Sequence, residues 1–280
     1  MASRIPPLLE SYLRLPPETS LILLSGVLGS TTNWLVQRYL YSLLSSRKED
    51  GAGLAGTDDA DVILVSFLRD YAFWKDGAGR LGLDLDVLSR RGKFVFVDGL
   101  TGLFCTSPGQ HPRPPIAPGP GRRLLSAATL QVLQKELDDA VTQVQASKPG
   151  QNTVLIVDHL DLLLAASGDI STQGLQDVLF HIRERVHSTI VTLSADEPLI
   201  SSQTTSLEKE HAAFALSMAH DAHLVVSLRM LDTGIARDVS GVLRVTPGGG
   251  NSDIGKEVEE RELLFFVGGD GGVRVFERGQ

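Results

Sequence analysis

Cysteine is almost missing from this chain: Cys105 is the one thiol in 280 residues. No internal disulfide can therefore form and no cysteine-based zinc site can be built, which suits a reducing compartment. Long apolar runs are missing too. Nowhere do 18 apolar residues follow one another, so no membrane-spanning helix is expected. The opening stretch, MASRIPPLLESYLRLPPETS, places Glu10, Glu18 and four prolines where a secretory leader needs an unbroken apolar run. Basic residues are in deficit, 26 Lys and Arg against 34 Asp and Glu, a net charge of −8. That balance argues against a free-standing nucleic-acid binder, because neutralising phosphates takes clustered cations. Metal signatures are absent as well. His211, His220 and His223 are loosely grouped, but no paired histidines with a glutamate, and no neighbouring cysteine, accompany them. A protein of the cytoplasm and nucleus, with neither membrane nor metal partner, is expected.

What is present is ordinary globular material, 42% hydrophobic and 21% charged, of a length that suits one large domain over residues 1–280. Apolar runs of strand length recur at Leu21–Ser25, Val62–Phe67, Phe94–Val97, Val154–Val157, Thr189–Leu193 and Leu224–Leu228. Helical stripes lie between them: Leu35, Val36, Tyr39, Leu40, Leu43 and Leu44; Leu130, Leu133, Leu137, Val141 and Val144; Leu175, Val178, Leu179, Ile182 and Val186. A fourth helix is expected from Ser206 to near His220. Continuous apolar strands alternating with helices predict a parallel sheet covered on both faces, an α/β fold. After Leu224 the pieces LVVSLRM, GVLRVTP, ELLFFVGG and GVRVFERG are separated by turns without helices, which predicts an antiparallel meander at the sheet edge. Gly-, Pro- or charge-rich stretches near 45–61, 105–123 and 247–260 are expected to be flexible loops. Trp34 and Trp74 read as packing anchors, with Phe73-Trp74-Lys75 also compatible with an exposed contact.

The stretch LILLSGVLGSTTN, Leu21 to Asn33, has the frame of a phosphate loop between a strand and a helix. A working loop reads G-x-x-x-x-G-K-[ST], its amides cradling phosphate, its lysine reaching the outer phosphates and its hydroxyl binding Mg²⁺. Aligned on Gly26, the required Gly, Lys and Ser/Thr fall on Thr31, Thr32 and Asn33. All three requirements fail, and a charge-assisted contact of about 1.5–3 kcal/mol goes with the lysine. Ser25, Gly26, Gly29, Ser30, Thr31 and Thr32 still offer hydroxyls and amides to an anion at a helix N-terminus; a plain cap at Thr31–Asn33 competes with that reading. Two apolar strands end in acids, Asp158 and Asp98. Asp158 has the pattern of a metal-coordinating aspartate, and Asp98 that of an acid orienting the attacking water; turn or cap roles compete for both. Nucleotide contact is expected to be weak, with no catalytic residue and no tightly held cofactor. An active ATPase with an atypical loop is the alternative. A dinucleotide oxidoreductase fits less well, because the G-x-G-x-x-G series and its ribose-binding acid are lacking.

Four segments carry a resemblance: VILVSFLRDYAFWKDGAGRLGLDL (Val62–Leu85), RGKFVFVDGL (Arg91–Leu100), VLIVDHLDLLL (Val154–Leu164) and LDTGIARDVSGVLRV (Leu231–Val245). Their order and spacing resemble the family of the sixth subunit of the Elongator complex over nearly the whole chain. The resemblance implies a RecA-like three-layer sandwich without proper ATPase motifs, joined to the fourth and fifth Elongator subunits in a hetero-hexameric ring. It further implies that the ring binds tRNA and supports wobble-uridine modification, with the chemistry in the complex's catalytic core, and that ATP lies at ring interfaces. In such a ring Arg229, Arg237 and Arg244 are candidates to act in trans on a neighbour's nucleotide. The segments His159–Thr172 and Ser194–Ser206 are the expected nucleic-acid loops; the latter has no Lys or Arg.

Overall fold

The computed structural model describes residues 4–45, 60–105, 119–231, 236–250 and 258–277. Its ten strands are β1 (Leu21–Gly26), β2 (Asp61–Ser66), β3 (Phe94–Asp98), β4 (Arg122–Leu124), β5 (Thr153–Asp158), β6 (Ser188–Ser194), β7 (Leu224–Arg229), β8 (Gly241–Pro247), β9 (Arg261–Val267) and β10 (Val273–Phe276). They form one sheet in the order β10-β9-β8-β7-β1-β6-β5-β2-β3-β4. Every pairing from β7 to β4 is parallel, and β7, β8, β9 and β10 pair antiparallel. The expected parallel sheet with a C-terminal meander is what forms.

The helices are α1 (Asn33–Leu44), α2 (Tyr71–Arg80), α3 (Leu85–Arg90), α4 (Gly99–Phe104), α5 (Leu130–Ser147), α6 (Leu162–Ala166), α7 (Thr172–Arg183), α8 (Glu197–Ser201) and α9 (Ser206–Asp221). Because successive strand residues face opposite ways, the sheet feeds two cores. Ile22, Leu24, Leu64, Phe96 and Ile156 pack with α1, α2 and α3 on one face. Leu23, Ile63, Val65, Val97 and Leu155 pack with α5, α7 and α9 on the other. Each Leu or Ile buried this way contributes about 1.5–3 kcal/mol. Trp74 is fully buried and Trp34 nearly so, which decides for packing over exposed contact.

Helix starts follow local chemistry. Asp70, Asp84 and Asp98 accept the Phe73, Val87 and Thr101 amides at 2.9, 3.0 and 2.7 Å, capping α2, α3 and α4. Side-chain caps satisfy amides that the first helical turn leaves unpaired. Most of the three expected flexible loops falls outside the described residues, and their flanks belong to regular structure. Asp61 opens β2, Arg122 and Arg123 form part of β4, and Pro247 closes β8. Thr233 and Gly234, within the fourth resembling segment, also lie outside the described residues. No described helix is long and apolar enough to cross a membrane.

Candidate functional site

The loop between β1 and α1 turns at Gly29, whose φ of 90° lies in the left-handed region open to glycine. Met230, just past β7, packs so closely there that a Cβ on Gly29 would overlap its sulfur. Several of the loop's amides are bonded within the chain. Val27 N donates to Leu228 O at 3.2 Å, Ser30 N to Val27 O at 2.8 Å and Asn33 N to Thr31 Oγ1 at 3.2 Å. Leu28 N donates to the Asp196 carboxylate at 2.6 Å. An acid from the end of β6 thus occupies a donor that a phosphate loop reserves for its ligand.

Around this loop lies a cavity of about 360 Å³, lined by residues 26–32 and by Leu68, Arg69, His159, Ser194 and Asp196. Two hydroxyls on its wall, Ser30 Oγ and Thr32 Oγ1, are buried without a hydrogen-bond partner among the described residues, as is Asn33 Oδ1. Thr32, at the lysine position, has helical backbone and makes no side-chain cap; the cap expected at Thr31–Asn33 is supplied by Thr31 alone. Two basic side chains line the cavity. Arg69 anchors its backbone on Ser66 Oγ at 3.1 Å and lays its guanidinium over Phe73 at 5.1 Å. His159 adopts a positive φ of 57°, and its Nδ1 stands 3.5 Å from Asp161. Burial pulls the His159 imidazole down, but the carboxylates of Asp161 and Asp158 outweigh that and carry it above its ordinary value.

Asp158 does not face the cavity. It is fully buried, accepting Ser66 Oγ at 2.7 Å and Thr192 Oγ1 at 3.0 Å. Burial raises its carboxyl above the ordinary aspartate value, only partly opposed by His159 and the two hydroxyls. Asp161 works beside it, accepting Ser194 N at 3.2 Å and standing 3.9 Å from His211, whose Nε2 donates to Ser194 O at 2.8 Å. Asp98 is elsewhere. In the sheet order β3 stands four strands from β1, roughly 19 Å at about 4.8 Å per strand. The expectation that it shares the loop's chemistry is therefore corrected: Asp98 caps α4.

These residues do not fit a magnesium-bound triphosphate. The lysine position holds a buried threonine, the magnesium hydroxyl is replaced by Asn33, and Asp196 sets a negative charge against the loop. What remains suits at most a small anion near Arg69 and the two hydroxyls. No group of three or more His, Cys, Asp or Glu side chains is arranged for a metal among the described residues.

The arginine candidates lie on β7, on β8 and in the connection between them, and not together. Arg229 ends β7 beside Gly26's neighbour Leu228 and lies 3.8 Å from Glu262. Arg237 is exposed in the β7–β8 connection. Arg244 is exposed mid-strand, opposite Ser227 and Glu262. Of the two expected nucleic-acid loops, the first holds α6 and ends at Thr172, which Glu210 pins from α9 at 2.6 Å; the second holds α8. The residues missed in sequence are Arg69, Asp161 and Asp196. None has a motif spacing relative to the loop; the parallel sheet brings them there.

Comparison with known proteins agrees with this architecture. The family described as "Elongation complex protein 6" matches residues 56–266. An Elongator complex protein 6 homolog of Schizosaccharomyces pombe is 26% identical over 97% of each chain. Elongator complex protein 6 of Xenopus laevis is 26% identical over 88% of this chain and 96% of its own, and that of Homo sapiens 24% identical over 79% and 84%. Among solved structures, a KaiC-like protein of Pyrococcus horikoshii superposes with a TM-score of 0.56 over 99% of this chain and 98% of its own, at 14% identity, a likeness of RecA-like fold alone. With the family match covering most of its length, the chain belongs to the Elongator complex protein 6 family.

Proposed function

We propose that this chain is a non-catalytic RecA-like subunit that joins the fourth and fifth Elongator subunits in a hetero-hexameric ring. That ring binds tRNA and supports wobble-uridine modification by the catalytic core of the complex, in cytoplasm and nucleus. The observation that carries the non-catalytic reading is the loop: its Leu28 amide is bound to Asp196 and its lysine position is the buried Thr32. A chain that has lost the lysine of its loop and bound one loop amide to its own carboxylate acts through its neighbours. Arg229, Arg237 and Arg244 supply cations at the boundary where a neighbour's nucleotide is held. Leu28, 87% exposed at the loop tip, is the apolar contact that such a neighbour covers.

Co-expression with the two partner subunits, followed by native mass measurement, is the test. A single species holding two copies of each chain is expected, with negligible ATP turnover by this chain alone. A stable monomer that hydrolyses ATP and ignores both partners overturns the reading. The active-ATPase alternative draws on Arg69, a basic residue that lines the loop cavity while its guanidinium lies over Phe73. ATP turnover by the isolated, full-length chain separates the two readings: measurable hydrolysis favours the alternative and its absence the non-catalytic subunit.

A further inference from the structure

A second cavity, of about 480 Å³, lies between the N-terminal segment, α1, the end of α2 and the β9–β10 turn, and shares no lining residue with the loop cavity. Arginines from three separate parts of the chain converge on it: Arg4, Arg38 and Arg80. Arg38 is the unusual one. It is 2% exposed; its Nη2 donates to Gly271 O at 3.0 Å, and its Nε has no partner among the described residues. Burial depresses its guanidinium with no acidic neighbour acting against it, whereas Asp221 partly offsets the same effect at Arg183. A buried cation without a counter-charge is costly unless something else neutralises it.

The other two arginines are held close by. Arg80 lies across Gly271, where φ is 80° and an added Cβ would stand 3.6 Å from its Nη1. One turn therefore receives Arg38 on its carbonyl and Arg80 over its Cα. Arg4 donates to the Tyr41 hydroxyl at 3.3 Å and lies over Gly82, two residues past Arg80. Asp76 and Asp270 also line the cavity, but Asp270 accepts Gly272 N within its own turn at 2.9 Å. Neither forms an ion pair with the three arginines among the described residues.

We propose that this cavity binds a phosphate-bearing small molecule, its phosphoryl oxygens held by Arg38, Arg80 and Arg4. A planar carboxylate is satisfied by one bidentate guanidinium, whereas a tetrahedral phosphate presents oxygens to guanidiniums arriving from several directions. The volume is in the range of small-molecule sites, about 300–1,000 Å³, and Phe73 and Leu81 add apolar wall for the rest of the ligand.

Thermal melts of the full chain with inorganic phosphate as the probe test it, alongside sodium chloride at matched ionic strength and sodium acetate. A saturable rise in Tm with phosphate alone is expected, since a ligand of the native state stabilises in proportion to its occupancy. Arg4→Ala and Arg80→Ala, both at exposed positions, are expected to weaken apparent affinity at least tenfold without lowering the ligand-free Tm. Arg38→Lys is expected to weaken it likewise, and its ligand-free Tm reports whether the fold is retained. Phosphate also stabilises proteins generally by exclusion from their surface, so the variants decide. A rise that persists in the Arg4→Ala/Arg80→Ala double variant, an equal rise with acetate, or no rise at all overturns the proposal.

Discussion

At Asp158 two hydroxyl donors and a buried carboxylate are in tension. Ser66 and Thr192 stabilise the charge, but burial outweighs them and the carboxyl is raised above its ordinary value of 3.8. The native state then holds this proton more tightly than the unfolded chain, so ionised Asp158 costs stability above its native pKa and the cost is relieved as pH falls through it. Asp158→Asn keeps an acceptor and removes the charge. In urea titrations at neutral pH it is expected to be at least as stable as the natural chain, whereas Asp158→Ala, which orphans two buried hydroxyls, loses about 1–3 kcal/mol. His159 has the opposite sign. Its pKa is raised above 6.5, so its stabilisation is complete below that value and lost as pH rises through the native pKa. Urea midpoints of the natural chain should fall, relative to those of His159→Asn, as pH rises from the ordinary 6.5 through the raised native pKa; asparagine tolerates the positive φ at this position. Parallel curves for the two proteins would show that His159 carries no such coupling.

At the level of single elements, α9 owes its start to a reciprocal cap. Glu208 N donates to Thr205 Oγ1 at 3.2 Å, while the Glu208 carboxylate accepts Thr205 N and Thr204 N at 2.8 Å each. The Thr204 hydroxyl and these amides hold the exposed Glu208 carboxyl down to about 2. Its contribution is present above the ordinary 4.5 and fades as pH falls through about 2. Thr205→Ala is expected to cost about 1 kcal/mol in chemical unfolding at neutral pH; no change would mean that α9 is held by its packing alone. This helix was legible from its content of Ala, Leu and Met, and the structure adds the cap. α2 was harder to see: Gly77 and Gly79 and the charges of Lys75 and Asp76 dilute its pattern, and Tyr71, Trp74 and Ala78 supply a narrow buried stripe. β4 stands at the end of a Pro- and Gly-rich stretch and forms because β3 offers it an open edge, pairing Phe96 to Asp98 with Arg122 to Leu124.

On the scale of the whole molecule, the parallel half of the sheet directs the ends of β1, β2, β5 and β6 toward the loop cavity, and β7 carries Met230 and Arg229 to the same edge. Leu28 projects from that edge with little contact of its own. Leu28→Asp is expected to leave the Tm of the isolated chain within about 2 °C, since surface changes away from packed features stay within about 0.5 kcal/mol. It is expected to abolish co-purification with the partner subunits. An intact complex from that variant would move the interface elsewhere.

The order of apolar runs and helical stripes by itself determined the α/β class and the closing meander, because the periods of 3.6 and 2 are properties of a local backbone. It also determined that the phosphate loop lacks its lysine, since Thr32 is read directly. Strand order was decided only in three dimensions. β1 pairs with β6 and β7, and β2 with β5, strands distant in the chain, so nothing local told that Asp98 stands far from the loop while Asp196, Arg69 and His159 meet there. The same holds for Arg4, Arg38 and Arg80: three unremarkable arginines in sequence become one charged cavity because Gly271 and Gly82 leave room for them where separate elements pack together.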